Sequence, residues 1–320
     1  MDKRYIDIQK KAFSSEFYEF CRKKIKVSMQ SIEKERKYVL NLIIAILSIS
    51  VIVFATIVVL NLSSFKNINS HDMENILTFV VLYWGFVIAI CSFIVKQFKK
   101  KAKKAILPKI LSFIGEFEIV EDSYHPTALN SYVSTLMLFD NYNRFSCDDS
   151  LGGYYNGLYV HIDEIRLKRV TGSGKNRHTE KIFDGLLIRF KSFKKFSSKT
   201  VIKLNGCFDF LSKQKVNLED PEFEKVYDVY SYDQIEARYL ITPAFMQRLL
   251  ELRNKKIGSG IVVSFENGMV HIGVSSSKDW FEVPLLESAT NIANYRAILL
   301  EIVSILSIID IMKFDENIGM

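Results

Sequence analysis

Two stretches of the chain, Tyr38–Leu62 and Ile76–Val95, contain no charged residue, and the remaining pattern is arranged around them. As helices these runs of 25 and 20 residues would extend about 37 and 30 Å, against a hydrocarbon core of about 30 Å. Polar positions in the first run are confined to Asn41, Ser48, Ser50, Thr56 and Asn61. Ahead of it, residues 1–37 are polar, with apolar positions at Tyr5, Ile8, Phe13, Phe17, Phe20, Cys21, Ile25 and Met29. That spacing predicts an imperfect amphipathic helix. Residues 63–75 form a short polar connection, and a lysine-rich helix is expected over 96–109, ending at Pro108.

From Ile110 the period changes. Ile110–Val120 reads as a short amphipathic segment and Glu121–Asn130 as a loop. Tyr155–Val170 alternates through Leu158, Val160, Ile162, Ile165 and Leu167, which predicts a strand, with a turn at Gly172-Ser173-Gly174. Further strands are expected at Ile182–Phe190, Thr200–Leu204 and Val226–Ser231. Asp220-Pro221 starts a short helix, Asp233 caps Gln234–Leu240, and Thr242-Pro243 caps a helix through Arg253. Ile261–Val274 is a hairpin about Asn267-Gly268, and Phe281–Pro284 reads as an edge strand. Ile292–Met312 is apolar at 292, 295, 299, 302, 306 and 309, the seam of a buried helix. Its Arg296, Glu301 and Asp310 argue against a third span.

The expected fold is therefore an α+β membrane protein. A two-helix transmembrane hairpin (38–62 and 76–95, joined by 63–75) follows the N-terminal cytoplasmic helix 1–37. The lysine-rich helix 96–109 leads to a mixed, strand-rich α+β cytoplasmic domain, 110–320, closed by a C-terminal helix.

Charge gives this layout a direction. The net charge is +7, and Lys96–Lys109 alone carries seven lysines with no acidic residue. Ile110–Met320 has 24 basic and 28 acidic residues, so it is net −4. A nucleic-acid-binding domain carries a basic face over its body, and this one does not. Lys23, Lys24, Lys26, Lys34, Arg36 and Lys37 precede the first run, whereas the connection is close to neutral. The positive-inside rule then puts both termini in the cytoplasm and the short connection outside. With 37 mostly polar residues before the first apolar run, an uncleaved anchor is expected rather than a signal peptide.

Reactive chemistry is sparse. Cys21, Cys91, Cys147 and Cys207 have no metal or disulfide spacing, and His125, His161, His178 and His271 are dispersed. Gly172-Ser173-Gly174-Lys175 lacks the first glycine and the Ser or Thr of a phosphate-binding loop, with Arg169 and Asn176 at those places. Cys147 precedes Asp148 and Asp149, which raise its pKa and blunt it. No catalytic residue, metal ligand or cofactor is assigned. Candidate lipid-headgroup contacts are Lys96, Lys99, Lys100, Lys101, Lys103 and Lys104. Gly85 and Ala89 form a small-xxx-small pair for helix packing, and Tyr154, Tyr155 and Tyr159, beside Gly152-Gly153, are a candidate binding surface.

Val216–Leu252 contains Leu218-Glu219-Asp220-Pro221-Glu222-Phe223, Tyr227–Asp233, Glu236-Ala237-Arg238-Tyr239 and Thr242-Pro243-Ala244-Phe245-Met246. With Phe183-Asp184-Gly185-Leu186, Ser264-Phe265 and Phe281-Glu282, this resembles an uncharacterised family of bacterial two-span membrane proteins with a cytoplasmic domain. The resemblance covers about residues 140–312 and departs from the family pattern at the lysine-rich Lys191–Lys199. It implies the fold plan and localisation and brings no catalytic residues. The function expected is a membrane-anchored, non-catalytic protein that binds a protein partner, scaffolds a complex or self-associates at the inner membrane face. The alternative is a module engaging anionic lipid, and an enzyme ranks third. The partners expected are the bilayer and a protein, with no nucleic acid.

Overall fold

The computed structural model describes residues 3–60, 70–115, 117–120, 126–206, 214–254, 258–276 and 278–312. The chain divides into two compact units, one of residues 15–109 and 281–297 and the other of residues 1–14, 110–280 and 298–320.

The first unit is built on two long helices. α1 (Lys3–Ala12) belongs to the second unit; the first begins with α2 (Ser15–Phe20), after which a π-helical turn at Cys21–Ile25 runs directly into α3, Lys26–Leu60. The expected single N-terminal helix is therefore interrupted: Ser14 closes α1 by donating its hydroxyl and its N–H to Lys11 O. Conversely, no break occurs at residue 37. Helical hydrogen bonds are local, and they continue through the change from polar to apolar side chains. α4 runs from Ser70 to Ile114 and passes through Pro108, where the sequence predicted an end. Burial of Ile106, Leu107, Ile110 and Leu111 offsets the one hydrogen bond the proline omits. Most of the expected connection 63–75 lies outside the described residues.

α3 and α4 run antiparallel, with Tyr83 donating to Ser50 O at 2.8 Å and Lys101 pairing with Glu35 at 2.7 Å. Phe54 stacks on Tyr83 and meets Trp84 at centroid distances of 5.9 and 6.0 Å. Gly85 and Ala89 take no part in this contact. Both are exposed, and a Cβ added at Gly85 would meet nothing within 4 Å. Aromatic and β-branched side chains fill the helix interface, so a close approach at glycine is not needed. The segment 281–297 is tied to α3 by Glu33, which accepts from Ala289 N at 2.7 Å, and by Arg36, which donates to Leu285 O at 3.1 Å. Phe281–Pro284 is not the expected edge strand. Phe281 has φ +60°, in the left-handed region, which extended pairing excludes.

The second unit is an eight-stranded antiparallel sheet in the order β1-β2-β3-β4-β8-β7-β5-β6. Its strands are β1 (Phe117–Ile119), β2 (Arg144–Tyr155), β3 (Leu158–Thr171), β4 (His178–Lys191), β5 (Thr200–Leu204), β6 (Tyr227–Ser231), β7 (Gly260–Glu266) and β8 (Met269–Ser275). The helices are α5 (Pro126–Thr135), α6 (Pro221–Glu224), α7 (Gln234–Leu240), α8 (Pro243–Asn254) and the part of the C-terminal α9 (Ile292–Met312) from Ile298 onward. The predicted caps form as expected. Asp220 Oδ1 accepts from Glu222 N and Phe223 N, Asp233 Oδ1 from Ile235 N and Glu236 N, and Thr242 Oγ1 from Phe245 N.

The strand expected over Tyr155–Val170 is present as β3 from Leu158 onward, and only its first residues differ, Tyr155 ending β2 and Asn156-Gly157 making a turn. Asn156 and Gly157, at φ +51° and +79°, form a two-residue turn between β2 and β3. β2 escaped the pattern because Asp148, Asp149, Gly152 and Gly153 erase its alternation, and its register shifts between Cys147 and Ser150. The expected loop 121–130 overlaps α5, whose Leu129 and Val133 join Leu136, Ile165, Leu167, Phe183, Leu187 and Val201 in a core on one sheet face. On the other face, Phe245 of α8 meets Phe265 at 5.8 Å, and Tyr155 donates to Asp310 Oδ2 of α9 at 2.6 Å. Asp310, in the last turn of α9, is therefore an acceptor for a buried hydroxyl.

Candidate binding groove

Side chains alternate across a strand, so Tyr159, His161 and Asp163 of β3 share one face with Leu187 and Arg189 of β4 and with His271 of β8. α5 packs on part of that face, and at the end of these strands, beside Tyr159, a groove of about 850 Å³ opens. Its rim is made of strand connections: the Asn156-Gly157 turn, the Asn267-Gly268 turn, and the loop 191–199 between β4 and β5. Tyr154, Tyr159 and Phe193 supply its aromatic surface, at 54, 37 and 47% exposure. Tyr154 and Tyr159 meet edge to face at 4.9 Å, and Tyr159 meets His161 in the same way at 4.9 Å. Gly152 holds this geometry open. A Cβ there would lie 2.9 Å from the Tyr159 hydroxyl and 2.7 Å from Val120 Cγ2.

The loop 191–199 is pinned at several points. Ser192 N donates to Gly268 O at 2.8 Å, and Glu236 accepts from Ser197 N and Ser198 N at 3.1 and 2.7 Å. Phe196 is buried against Phe265, and Lys199 pairs with Glu266 at 3.0 Å. Lys191, Lys194 and Lys195 remain on the groove lining, with Lys194 Nζ 5.6 Å from the centre of the Tyr239 ring.

Beneath the aromatic surface lies a buried polar row. Arg189 pairs with Asp163 at 2.9 Å, Ser150 donates to Asp163 Oδ1 at 2.7 Å, and the guanidinium lies 5.3 Å from the Tyr132 ring centre. The Tyr132 hydroxyl and His271 Nε2 are hydrogen-bonded. Burial pushes His271 down to about 4, and the charges of Arg189 and Lys199 act in the same direction. His161 is lowered too, by burial first and then by Arg189. A histidine kept neutral in the fold but free to protonate when unfolded destabilises the fold in acid. Stability is thus expected to fall as pH drops from about 6.5 towards 4, by at most about 1.4 kcal/mol per pH unit for His271. Unfolding midpoints of the wild type and His271→Gln across that range check this; the variant's profile should be flatter.

Burial, ahead of the repulsion from nearby carboxylates, pushes the Cys147 thiol up to about 12, so it stays protonated and poorly nucleophilic. Among the described residues, no three His, Cys, Asp or Glu side chains gather closely enough to hold a metal.

The structure sorts the sequence candidates. Tyr154 and Tyr159 come together at the groove. Tyr155 does not, because alternation turns it into the opposite core, where it is 1% exposed. Of the six lysines, Lys103 is buried with its ammonium 5.6 Å from the Phe281 ring centre, Lys99 pairs with Glu282, and Lys101 pairs with Glu35. Lys96, Lys100 and Lys104 are exposed. Sequence reasoning missed Phe193, Lys191, Lys194 and Lys195 as site residues. The signal available was a second Asn-Gly pair, at 156–157, whose turn brings β2 and β3 to the same rim.

Comparison with known proteins adds little chemistry. A family model described as a protein of unknown function (DUF3137) matches residues 181–314, which is narrower than the 140–312 of the sequence resemblance and leaves out β1, β2 and β3. No curated protein matches the chain. The crystal structure of the mycobacterial trehalose monomycolate transport factor A, TtfA, is 9% identical, with 65% of this chain and 95% of that chain covered. Its TM-score of 0.34 is too low to carry an argument.

Proposed function

We propose that this chain is an inner-membrane protein anchored by α3 and α4, whose sheet unit is a cytoplasmic binding module and not an enzyme. The observation that carries the reading is the exposure of large apolar side chains along both helices, including Ile52 at 64%, Leu82 at 67% and Phe86 at 68%. A continuous apolar surface of this kind is untenable in water and stable in hydrocarbon. Both helices are long and apolar enough to cross a membrane. Lysines flanking the two apolar runs orient both termini to the cytoplasm. A role confined to anionic lipid is less well supported, because Lys99, Lys101 and Lys103 are engaged by the protein's own groups.

Two measurements test the reading. In alkaline carbonate the chain should stay with the membrane pellet, and release into the supernatant would remove the anchor. Crosslinking in intact membranes should give a discrete higher-mass product; a monomer under every condition would remove the binding role.

A further inference from the structure

We propose that the groove lined by Tyr154, Tyr159, Phe193, Lys191, Lys194 and Lys195 docks an acidic segment of a partner protein. An apolar side chain of that segment lies on the aromatic surface, and its carboxylates meet the three ammonium groups. This rests on the reading of the chain as an anchored binding protein and names what it binds.

Charge carries the argument. Several lysines elsewhere on the sheet unit have carboxylate partners, Lys199 with Glu266, Lys203 with Asp140, Lys215 with Asp228 and Lys278 with Glu301, whereas the exposed Lys168 stands apart from the groove with none among the described residues. Among the described residues, no carboxylate pairs with Lys191, Lys194 or Lys195, although the unit's charge is net negative overall. Glu236 lines the groove, but its two oxygens accept from Ser197 N and Ser198 N. Three ammonium groups at the end of β4 and in the loop after it face one carboxylate, Glu236, so the lining carries an excess positive charge that an acidic partner offsets and that steers its approach.

Shape and order select a polypeptide. The groove is open, not enclosed, and suits an extended chain. Tyr and Phe are residue types enriched where proteins anchor to each other. A flat bilayer does not match a concave lining in which Tyr159 lies at 37% exposure. The pinned loop has little freedom left to lose on binding, which favours affinity.

The test uses the full chain in phosphatidylcholine nanodiscs, presented with a displayed library of random hexapeptides. Recovered sequences should be enriched about tenfold, equivalent to about 1.4 kcal/mol, in peptides that combine several Asp or Glu with an aromatic or large aliphatic residue. Lys191→Gln/Lys194→Gln/Lys195→Gln should abolish the acidic bias and leave the melting temperature unchanged, since these side chains have no carboxylate partner to lose. Phe193→Ser should keep the acidic bias and lose the apolar one. Recovery without acidic bias, or a bias that survives the triple variant, overturns the proposal. So does lysine-dependent binding of added phosphatidylglycerol vesicles with no peptide bias. If the library arm fails while the chain stays in the alkaline membrane pellet and still crosslinks, the groove assignment falls and the anchored binding role stands.

Discussion

Arg189→Met is expected to lower the unfolding free energy by about 3–5 kcal/mol. Arg189 and Asp163 are 5 and 3% exposed at the side chain, so neither charge has water to fall back on. Removing the guanidinium leaves the Asp163 carboxylate buried with one hydroxyl donor, Ser150. The cost is that of an unpaired buried charge, and it exceeds the value of the pair itself. The same reasoning gives a control. Arg189→Met combined with Asp163→Leu removes both charges and should regain most of the loss. Denaturant unfolding of the detergent-solubilised chain measures both; a single variant within about 1 kcal/mol of wild type would contradict the account.

Gly185→Ala is the second large effect, and its cause is the backbone. Gly185 lies in the middle of β4 at φ +154°, and a Cβ there would stand 2.1 Å from Val274 O and 2.9 Å from Ser276 N. Backbone atoms of a paired strand cannot move aside as a side chain can, so β4 and β8 must part locally. Added strain and lost pairing should cost about 3 kcal/mol. Gly152→Ala, by comparison, meets mainly the side chains of Tyr159 and Val120. It should cost less stability and instead displace Tyr159, visible as a changed tyrosine environment in near-ultraviolet dichroism.

How much of this was legible in the sequence depended on whether local chemistry or long-range pairing made the feature. The caps at Asp220, Asp233 and Thr242, the Asn267-Gly268 hairpin and the bounds of Ile292–Met312 rest on interactions within a few residues, and the structure bears them out. β2 was invisible because its partner β3 and its bulge at Cys147–Ser150, not its own alternation, make it a strand. Pro108 misled for the converse reason: burial of the surrounding Ile and Leu residues outweighs one absent hydrogen bond. The groove was half legible. Tyr154 and Tyr159 stood beside a glycine pair, but Phe193 and its neighbouring lysines are more than thirty positions away. Only the pairing of β3 with β4 brings them to one rim. Tyr155 shows the limit of reading a cluster without its strand, since one step in register places a side chain on the opposite face.

The central claim, an anchored chain with its sheet unit inside the cell, is tested most directly by thiol labelling in intact cells. In a background lacking the native cysteines, Glu74→Cys at the start of the second apolar helix and Lys195→Cys on the groove are exposed to a membrane-impermeant maleimide. The account predicts labelling at 74 and none at 195 until the membrane is opened. Labelling at 195 in intact cells, with 74 protected, would contradict it.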